Sequence, residues 1–361
     1  MDKIIKNILK SVENEGYEAY LVGGFVRDFI LGNVTYDVDI CTNALPKEIV
    51  SIFPLNQSAN GYGGFNFKIK QYNIDITTYR KEIKYVGRNP IEIEYISSLF
   101  EDIKRRDFTV NSLCMDKNGN IIDLLNAHED LNKKIIRSIG NVNKKFEEDP
   151  LRMLRAIRFA SVIDFEIEKN TYDAIIKYKD RVKELSNERV KEEVGKILNS
   201  PNFMKGLNLL EETGLKEILN INYKGIKYIS DILGMWAQID APKISFSKTE
   251  QDNIARIKQI IKKQEINNFD LFNDGLYVCQ VAAEILGINK KEVNNMFKNL
   301  PIESMKDIEI TGKEVMDILH LEPSKKISEI INDVKIQILN GNLKNKKSEI
   351  IKYIIGSGQN E

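Results

Sequence analysis

Apolar and polar positions alternate through the first third of the chain, in "EAYLVG" (18–23), "YDVDIC" (36–41), "FNFKIK" (65–70), "YNIDITTY" (72–79) and "IEIEYI" (91–96). A period of two with β-branched residues predicts strands. The opening "MDKIIKNILKSVENEG" instead spaces Ile4, Ile5, Ile8, Leu9 and Val12 as one face of an amphipathic helix, with no signal-peptide core. Near residue 145 the period becomes helical and stays so, as in "DPLRMLRAIRFASVI" (149–163), "RVKEEVGKILN" (189–199) and "KISEIINDVKIQILNG" (326–341). Strands first and helices afterwards predict an α+β head on a mixed β-sheet, followed by an all-helical remainder. Breaks near Ser200-Pro201 and Asn273-Asp274-Gly275 divide the chain at 1–140, 141–200, 201–273 and 274–361. No apolar run is long enough to span a bilayer, so no membrane partner is expected.

Composition narrows this picture. At 361 residues the chain suggests two to four domains, and 42% hydrophobic with 29% charged residues are globular values. Lys+Arg and Asp+Glu both total 53, so a nucleic-acid partner has to be met by local basic patches. "RIKQIIKK" (256–263) and the seven lysines against three acids between Pro323 and Lys352 are the candidates, each also readable as a solvated helix face. Cys41, Cys114 and Cys279 lie far apart, which argues against a disulfide framework and fits a reducing cytoplasm. Only His128 and His320 are present, which disfavours histidine-rich metal chemistry.

The candidate chemistry concentrates in "LVGGFVRDFILGNVTYDVDICT", residues 21–42. A buried strand ends at Gly23-Gly24, a short helix closes at Gly32, and a second strand carries Asp37 and Asp39. Side chains alternate along a strand, so both carboxylates share one face roughly 6.7 Å apart while Val38 enters the core. Such a pair can hold one or two Mg²⁺ ions completed by substrate phosphates. Two ions roughly 3.5–4 Å apart can activate a hydroxyl and stabilise a leaving oxygen. Gly24 lets backbone N–H groups approach a triphosphate, and Arg27 adds a forked phosphate donor. A bare Asp-x-Asp is more often a solvated surface pair. The fixed order of Gly-Gly, Arg-Asp and Asp-x-Asp on strand, turn, helix and strand favours the functional reading.

This stretch resembles the signature of the nucleotidyltransferase superfamily, roughly LVGGxVRDxLLG…DxDxxT, in the branch of class II tRNA CCA-adding enzymes and bacterial poly(A) polymerases. The resemblance is dense over residues 15–200. It implies a polymerase-β-like catalytic head, then a neck that reads the nucleotide base, a body and a tRNA-binding tail. "KRRDFTVNSL" (104–113) resembles the family's RRDFTxNAL, with Arg106, Asp107 and Asn111 matching by position. The resemblance implies that Arg106 contacts the incoming nucleotide's sugar and phosphates, with Arg105 a weaker candidate. "EDPLR" (148–152) matches the family's EDxxR, which serves as a protein template. Leu151, Leu154 and Ile157 should face the core, leaving Asp149, Arg152, Arg155 and Arg158 on a polar stripe. A carboxylate accepts from the exocyclic amine shared by cytosine and adenine, and an arginine donates to the neighbouring ring acceptor. Asp149 and Arg152 are thus implied to choose C and A over G and U, with Arg155 and Arg158 serving phosphates or the RNA end.

Weaker matches follow. Asp75 reads equally as a third carboxylate near the metals or as a solvent-facing strand residue. "TTYRKEIKYVGRNPIEIEY" (77–95) resembles the family's flexible loop, with Arg88-Asn89-Pro90 in place of Arg-Arg-Pro and an Asp-Gly missing. In "SNERVKEEVGKIL" (186–198) Glu188 and Arg189 are implied to brace the template helix. The leading expectation is an enzyme that transfers CMP and AMP from CTP and ATP to tRNA. Its alternatives are a CC-only or A-only enzyme, a poly(A) polymerase, and a non-catalytic RNA-binding relative. Residues 61–75 lack the arginine-rich strand usual in the polymerases, and intact Asp37, Asp39 and template residues speak against decay.

Overall fold

The computed structural model describes residues 1–53, 63–86 and 89–357. Asp2 accepts a 2.7 Å hydrogen bond from the Ile4 N–H and so caps α1 (Lys3–Asn14), whose Ile5, Ile8, Leu9 and Val12 are buried. A six-stranded sheet follows, from β1 (Ala19–Val22), β2 (Asp37–Thr42), β3 (Gly64–Ile69) and β4 (Tyr72–Thr78), with the short β7 (Cys114–Met115) and β8 (Ile121–Ile122) added later in the chain. Its order is β3-β4-β2-β1-β7-β8. β2 runs parallel to β4 and the other pairs are antiparallel, giving the mixed sheet expected for the head. α2 (Gly24–Ile30) and α3 (Pro46–Ile52) are the short connectors on this sheet.

Residues expected as a flexible loop form a separate antiparallel hairpin, β5 (Arg80–Val86) and β6 (Asn89–Tyr95). Charged Lys81 and Glu82 interrupt the apolar alternation of β5, which therefore carries a weak strand signal, and its register shifts after Glu82. Arg88 lies outside the described residues.

The helices that follow are α4 (Leu99–Lys104), ahead of β7 and β8, and then α5 (Ala127–Asn132), α6 (Val142–Glu148), α7 (Leu151–Val162), α8 (Lys169–Tyr178), α9 (Asn187–Leu198) and α10 (Phe203–Glu212), with one short parallel strand pair, Ile135–Ile136 with Glu166–Ile167, among them. Pro150 caps α7 with φ −60°, the angle its ring imposes, and Leu151, Leu154 and Ile157 are buried beneath that helix. These elements belong to one compact unit, residues 1–222 with 241–245; residues 223–240 and 246–361 form a second. The second unit is helical around Val315, Val334, Ile338 and Ile350, and Gly275, at φ +79°, breaks its helix Asn268–Leu286. Among the described residues no helix is long and apolar enough to cross a membrane.

The α7–α9–α10 packing supports the candidate site and is tight at one point. A Cβ at Gly206 would lie 2.3 Å from the Ile197 Cγ2 and 3.0 Å from Ser161. Ile197 is fully buried and has nowhere to retreat. Gly206→Ala should therefore lose about 1–3 kcal/mol through overpacking, against a helix-propensity gain of at most about 1 kcal/mol. A thermal melt followed by circular dichroism checks this, and an unchanged midpoint would contradict the described packing.

Candidate active site

β2 delivers its alternate side chains to two environments. Val38 and Ile40 enter the core, whereas Asp37 is exposed and Asp39 half-buried on the opposite face, which deepens to buried Cys41. Asp37 accepts a 2.8 Å hydrogen bond from the Asn73 Nδ2. Asp39 stands beside Val22 on one side and Asp75 on the other, in register. Gly23, at φ +72°, lets the chain turn tightly against this carboxylate; a Cβ there would sit 2.7 Å from the Asp39 Oδ2. Burial pushes the Asp39 carboxyl up to about 6; Arg106 and Arg27 pull it down, and Asp75 and Asp37 push it further up. A half-buried carboxylate crowded by two others gains most from a cation.

Facing these acids is a wall of guanidinium groups around a cavity of about 570 Å³. Arg105 and Arg106 follow the end of α4, and both pair with fully buried Asp102, at 2.8 Å and 3.3 Å. Burial raises the Asp102 carboxyl, but Arg105 and Arg106 outweigh it and hold the group below its usual range. Burial likewise lowers Arg106, but Asp102, with Cys41, Cys114 and Asp39 adding to it, more than compensates, so Arg106 stays firmly protonated. Its Nε is buried with no hydrogen-bond partner among the described residues. Arg80 pairs with Glu82 at 3.3 Å on the hairpin side.

The third wall is the α6–α7 junction. Asp149 ends α6 in an extended conformation, and its Oδ1 accepts a 3.0 Å hydrogen bond from the Leu151 N–H. Arg152 donates from Nη1 to the Lys145 carbonyl at 3.0 Å and to Glu148 at 3.3 Å. Asp107 accepts from the Arg155 Nε at 2.8 Å, and Arg158 lies 2.7 Å from buried Glu193. Burial raises the Asp107 carboxyl, but Arg155 overrides it and holds the group down at about 2. The Phe159 ring underlies this row, 4.1 Å from the Arg158 guanidinium, with Arg155 at 5.4 Å and Arg27 at 5.5 Å.

Asp37, Asp39, Gly24, Arg27, Arg106, Asp149, Arg152, Arg155 and Arg158 thus all line one cavity. Arg27 is nevertheless committed within the protein. Its Nε and Nη2 donate to Asp28 at 2.9 Å, and its Nη1 to Asn111 at 2.8 Å, tying the first motif to the second. Asp75 neighbours Asp39 on β4, accepts from the Thr77 hydroxyl at 3.3 Å, and is not among the cavity-lining residues. The brace expected from Glu188 and Arg189 comes instead from Glu193, one turn further along α9. Glu188 is exposed, and Arg189 pairs with Glu192 on its own helix. Sequence reading also missed Asp102, whose only signal is its helical spacing ahead of Arg105 and Arg106, and Phe159, which reads as core.

The donor set suits a hard cation. Asp37 and Asp39 offer carboxylate oxygens, and Gly23 leaves open the cradle a side chain would fill. Among the described residues no three acidic, histidine or cysteine side chains form a ready-made metal cage. Remaining ligands would come from a substrate, as is usual for Mg²⁺.

Residues 19–137 match the family described as Poly A polymerase head domain, and residues 242–354 match tRNA nucleotidyltransferase domain 2. Residues 164–222 match "Probable RNA and SrmB- binding site of polymerase A". The fold and the site therefore define a nucleotidyltransferase, a class whose chemistry uses a divalent metal. A curated CCA-adding enzyme of Ligilactobacillus salivarius is 33% identical over 96% of this chain and 94% of its own. Another from Bacillus cereus (strain G9842) is 29% identical over 98% of both. The crystal structure of the Bacillus stearothermophilus CCA-adding enzyme in complex with CTP superposes with a TM-score of 0.86. It is 27% identical and covers 100% of this chain and 99% of that one. The chain belongs to the family of CCA-adding enzymes.

The Asp107–Arg155 pair sets a measurable stability. Because its folded pKa is depressed, ionised Asp107 stabilises the fold above about pH 4, and this is lost as pH falls through about 2. Asp107→Asn should cost about 2 kcal/mol at pH 7 by urea unfolding, the gap to wild type narrowing below about pH 4. A variant as stable as wild type at pH 7 would refute the pairing energy.

Proposed function

We propose that this protein completes the tRNA 3′ end by adding CMP, CMP and AMP from CTP and ATP, without a nucleic-acid template. The observation that carries this is one cavity lined both by the paired carboxylates Asp37 and Asp39 and by the Asp149–Arg152 couple. In this reading Asp37 and Asp39 hold Mg²⁺, as a pair of ions. When bound, the metal lowers the pKa of the terminal hydroxyl and neutralises the leaving pyrophosphate. The hydroxyl gives up its proton to solvent as its oxygen bonds to the α-phosphorus, the bond from the α-phosphorus to the α–β bridging oxygen breaks, and pyrophosphate departs.

The chain's own residues bind and orient. Gly24 presents its backbone to the triphosphate beside Arg27, whose fork is held by Asp28 and Asn111, and Arg106 offsets phosphate charge at the sugar end. Arg155 and Arg158 extend that positive surface towards phosphates or the RNA end. Asp149 has its Oδ1 taken by the Leu151 N–H, and its Oδ2 has no partner among the described residues, so it is available to an exocyclic amine. Arg152, held from behind by the Lys145 carbonyl and Glu148, donates beside it. Uracil and guanine would set a carbonyl oxygen against the Asp149 carboxylate and are rejected. The 141–200 segment then acts as the base-reading neck, and 201–273 and 274–361 as body and tRNA-binding tail. Free, buried Cys41, Cys114 and Cys279 support a cytoplasmic setting.

Incubating a tRNA that lacks its terminus with CTP, ATP or both tests the reading on one gel; poly(A) growth with ATP alone would overturn it. Asp37→Ala or Asp39→Ala should lower addition at least about a hundredfold while tRNA is still retained on a filter. Near-normal turnover would remove the metal-holding role. Asp149→Ala should weaken the preference for CTP over UTP by about 10- to 100-fold. Unchanged preference would end the template role.

A further inference from the structure

One side chain outside the cavity joins its two reading surfaces. Lys145, on α6, is half-buried and does not line the cavity. Its ammonium donates to three consecutive carbonyls, those of Lys104, Arg105 and Arg106, at 2.9, 2.9 and 3.2 Å. These sit at the end of α4, where helix carbonyls lack intrahelical partners. An ammonium has three N–H donors, and all are used here on the segment that presents Arg105 and Arg106. The backbone of the same residue serves the other surface. The Lys145 carbonyl accepts from the Asp149 N–H at 3.1 Å and from the Arg152 Nη1 at 3.0 Å. Arg152 Nη2 also reaches the Arg105 carbonyl at 3.5 Å.

From this we infer that Lys145 is a positioning residue for base selection, setting the distance between the Arg105–Arg106 strip and the Asp149–Arg152 couple. The inference rests on the reading of that couple as the base selector. A nucleotide gripped at both ends is discriminated only if the spacing between the grips is fixed, because a loose template lets a mispaired base shift into a tolerable pose. Glu148, Glu82, Asp107 and Arg152 surround the ammonium, yet its hydrogen bonds go to carbonyls, so its role is to hold backbone in place. Burial pushes the group down to about 8, with Arg152 adding to the effect.

The test compares Lys145→Met and Lys145→Arg, with Lys144→Met as a neighbouring surface control, each assayed with CTP and with UTP on a tRNA lacking its terminus. Lys145→Met should lower the CTP-to-UTP ratio of kcat/KM by about tenfold, about 1.4 kcal/mol of discrimination, mainly through kcat for CTP. Lys145→Arg keeps charged donors and should recover most of the ratio, and Lys144→Met should not change it. A purely structural lysine would lower the melting temperature and leave the ratio unchanged. A Lys145→Met ratio within about twofold of wild type therefore overturns the inference. If Lys145→Met fails to fold, Lys145→Gln, which remains polar but is too short for all three carbonyls, carries the same comparison. Failure of the functional reading looks different: wild type itself would then show no addition of C and A.

Discussion

Seven arginines line one cavity, and they can stand together only because carboxylates are placed behind them. Asp102 and Glu193 are buried almost completely, and Asp107 is only slightly exposed. Asp102 pairs with both Arg105 and Arg106, Asp107 with Arg155, and Glu193 with Arg155 and Arg158, so three carboxylates offset most of the charge of four arginines. Without these partners the guanidinium groups would repel each other and resist burial. With them the wall is held rigid and still presents positive charge inward, where a triphosphate would bring negative charge. Asp37 and Asp39 carry the opposite problem. Burial leaves Asp39 reluctant to ionise; Arg106 draws it the other way, and Asp75 and Asp37 crowd it. The site is therefore strained electrostatically on its acidic side and compensated on its basic side. That asymmetry is what a cation-dependent phosphoryl-transfer site requires.

Rigidity comes from ties between segments far apart in sequence. Asn111 receives Arg27, Asp107 receives Arg155, and Lys145 holds the carbonyls that precede Asp107. The first motif, the second motif and α7 thus form one hydrogen-bonded body within the larger compact unit. Phe159 completes it as an apolar floor, with Phe108 packed edge-on at 5.8 Å. Preorganisation of this kind spares the reaction the reorganisation that water would otherwise undergo. It also explains why α7 needs tight support from α9 and α10 beneath it. A tilt of α7 would move Asp149 and Arg152 relative to the acids.

Much of this was legible in the residues. The alternation of "YDVDIC" places Asp37 and Asp39 on one face with Val38 inside, because strand geometry is local. The i, i+3 run from Asp149 to Arg158 likewise assigns a polar stripe, because helical period is local too. Other features escaped. Lys81 and Glu82 hid a strand in β5, whose partner β6 supplies the hydrogen bonds that the pattern does not advertise. Glu193 was passed over for Glu188 and Arg189, since helical spacing does not say which side of α9 meets α7.

The sequence by itself determined which residue types recur, at what period and in what order, and therefore the α+β head, the helical remainder and the chemistry of the paired carboxylates. The tertiary structure alone decided what those side chains face. It turned the basic stripe of α7 into a cavity wall, spent the Arg27 fork on Asp28 and Asn111, and brought Lys145 to the end of α4. The physical reason is range. Period and propensity act between residues a few positions apart, whereas burial, counter-charge and hydrogen-bond partnership depend on groups that only folding brings together.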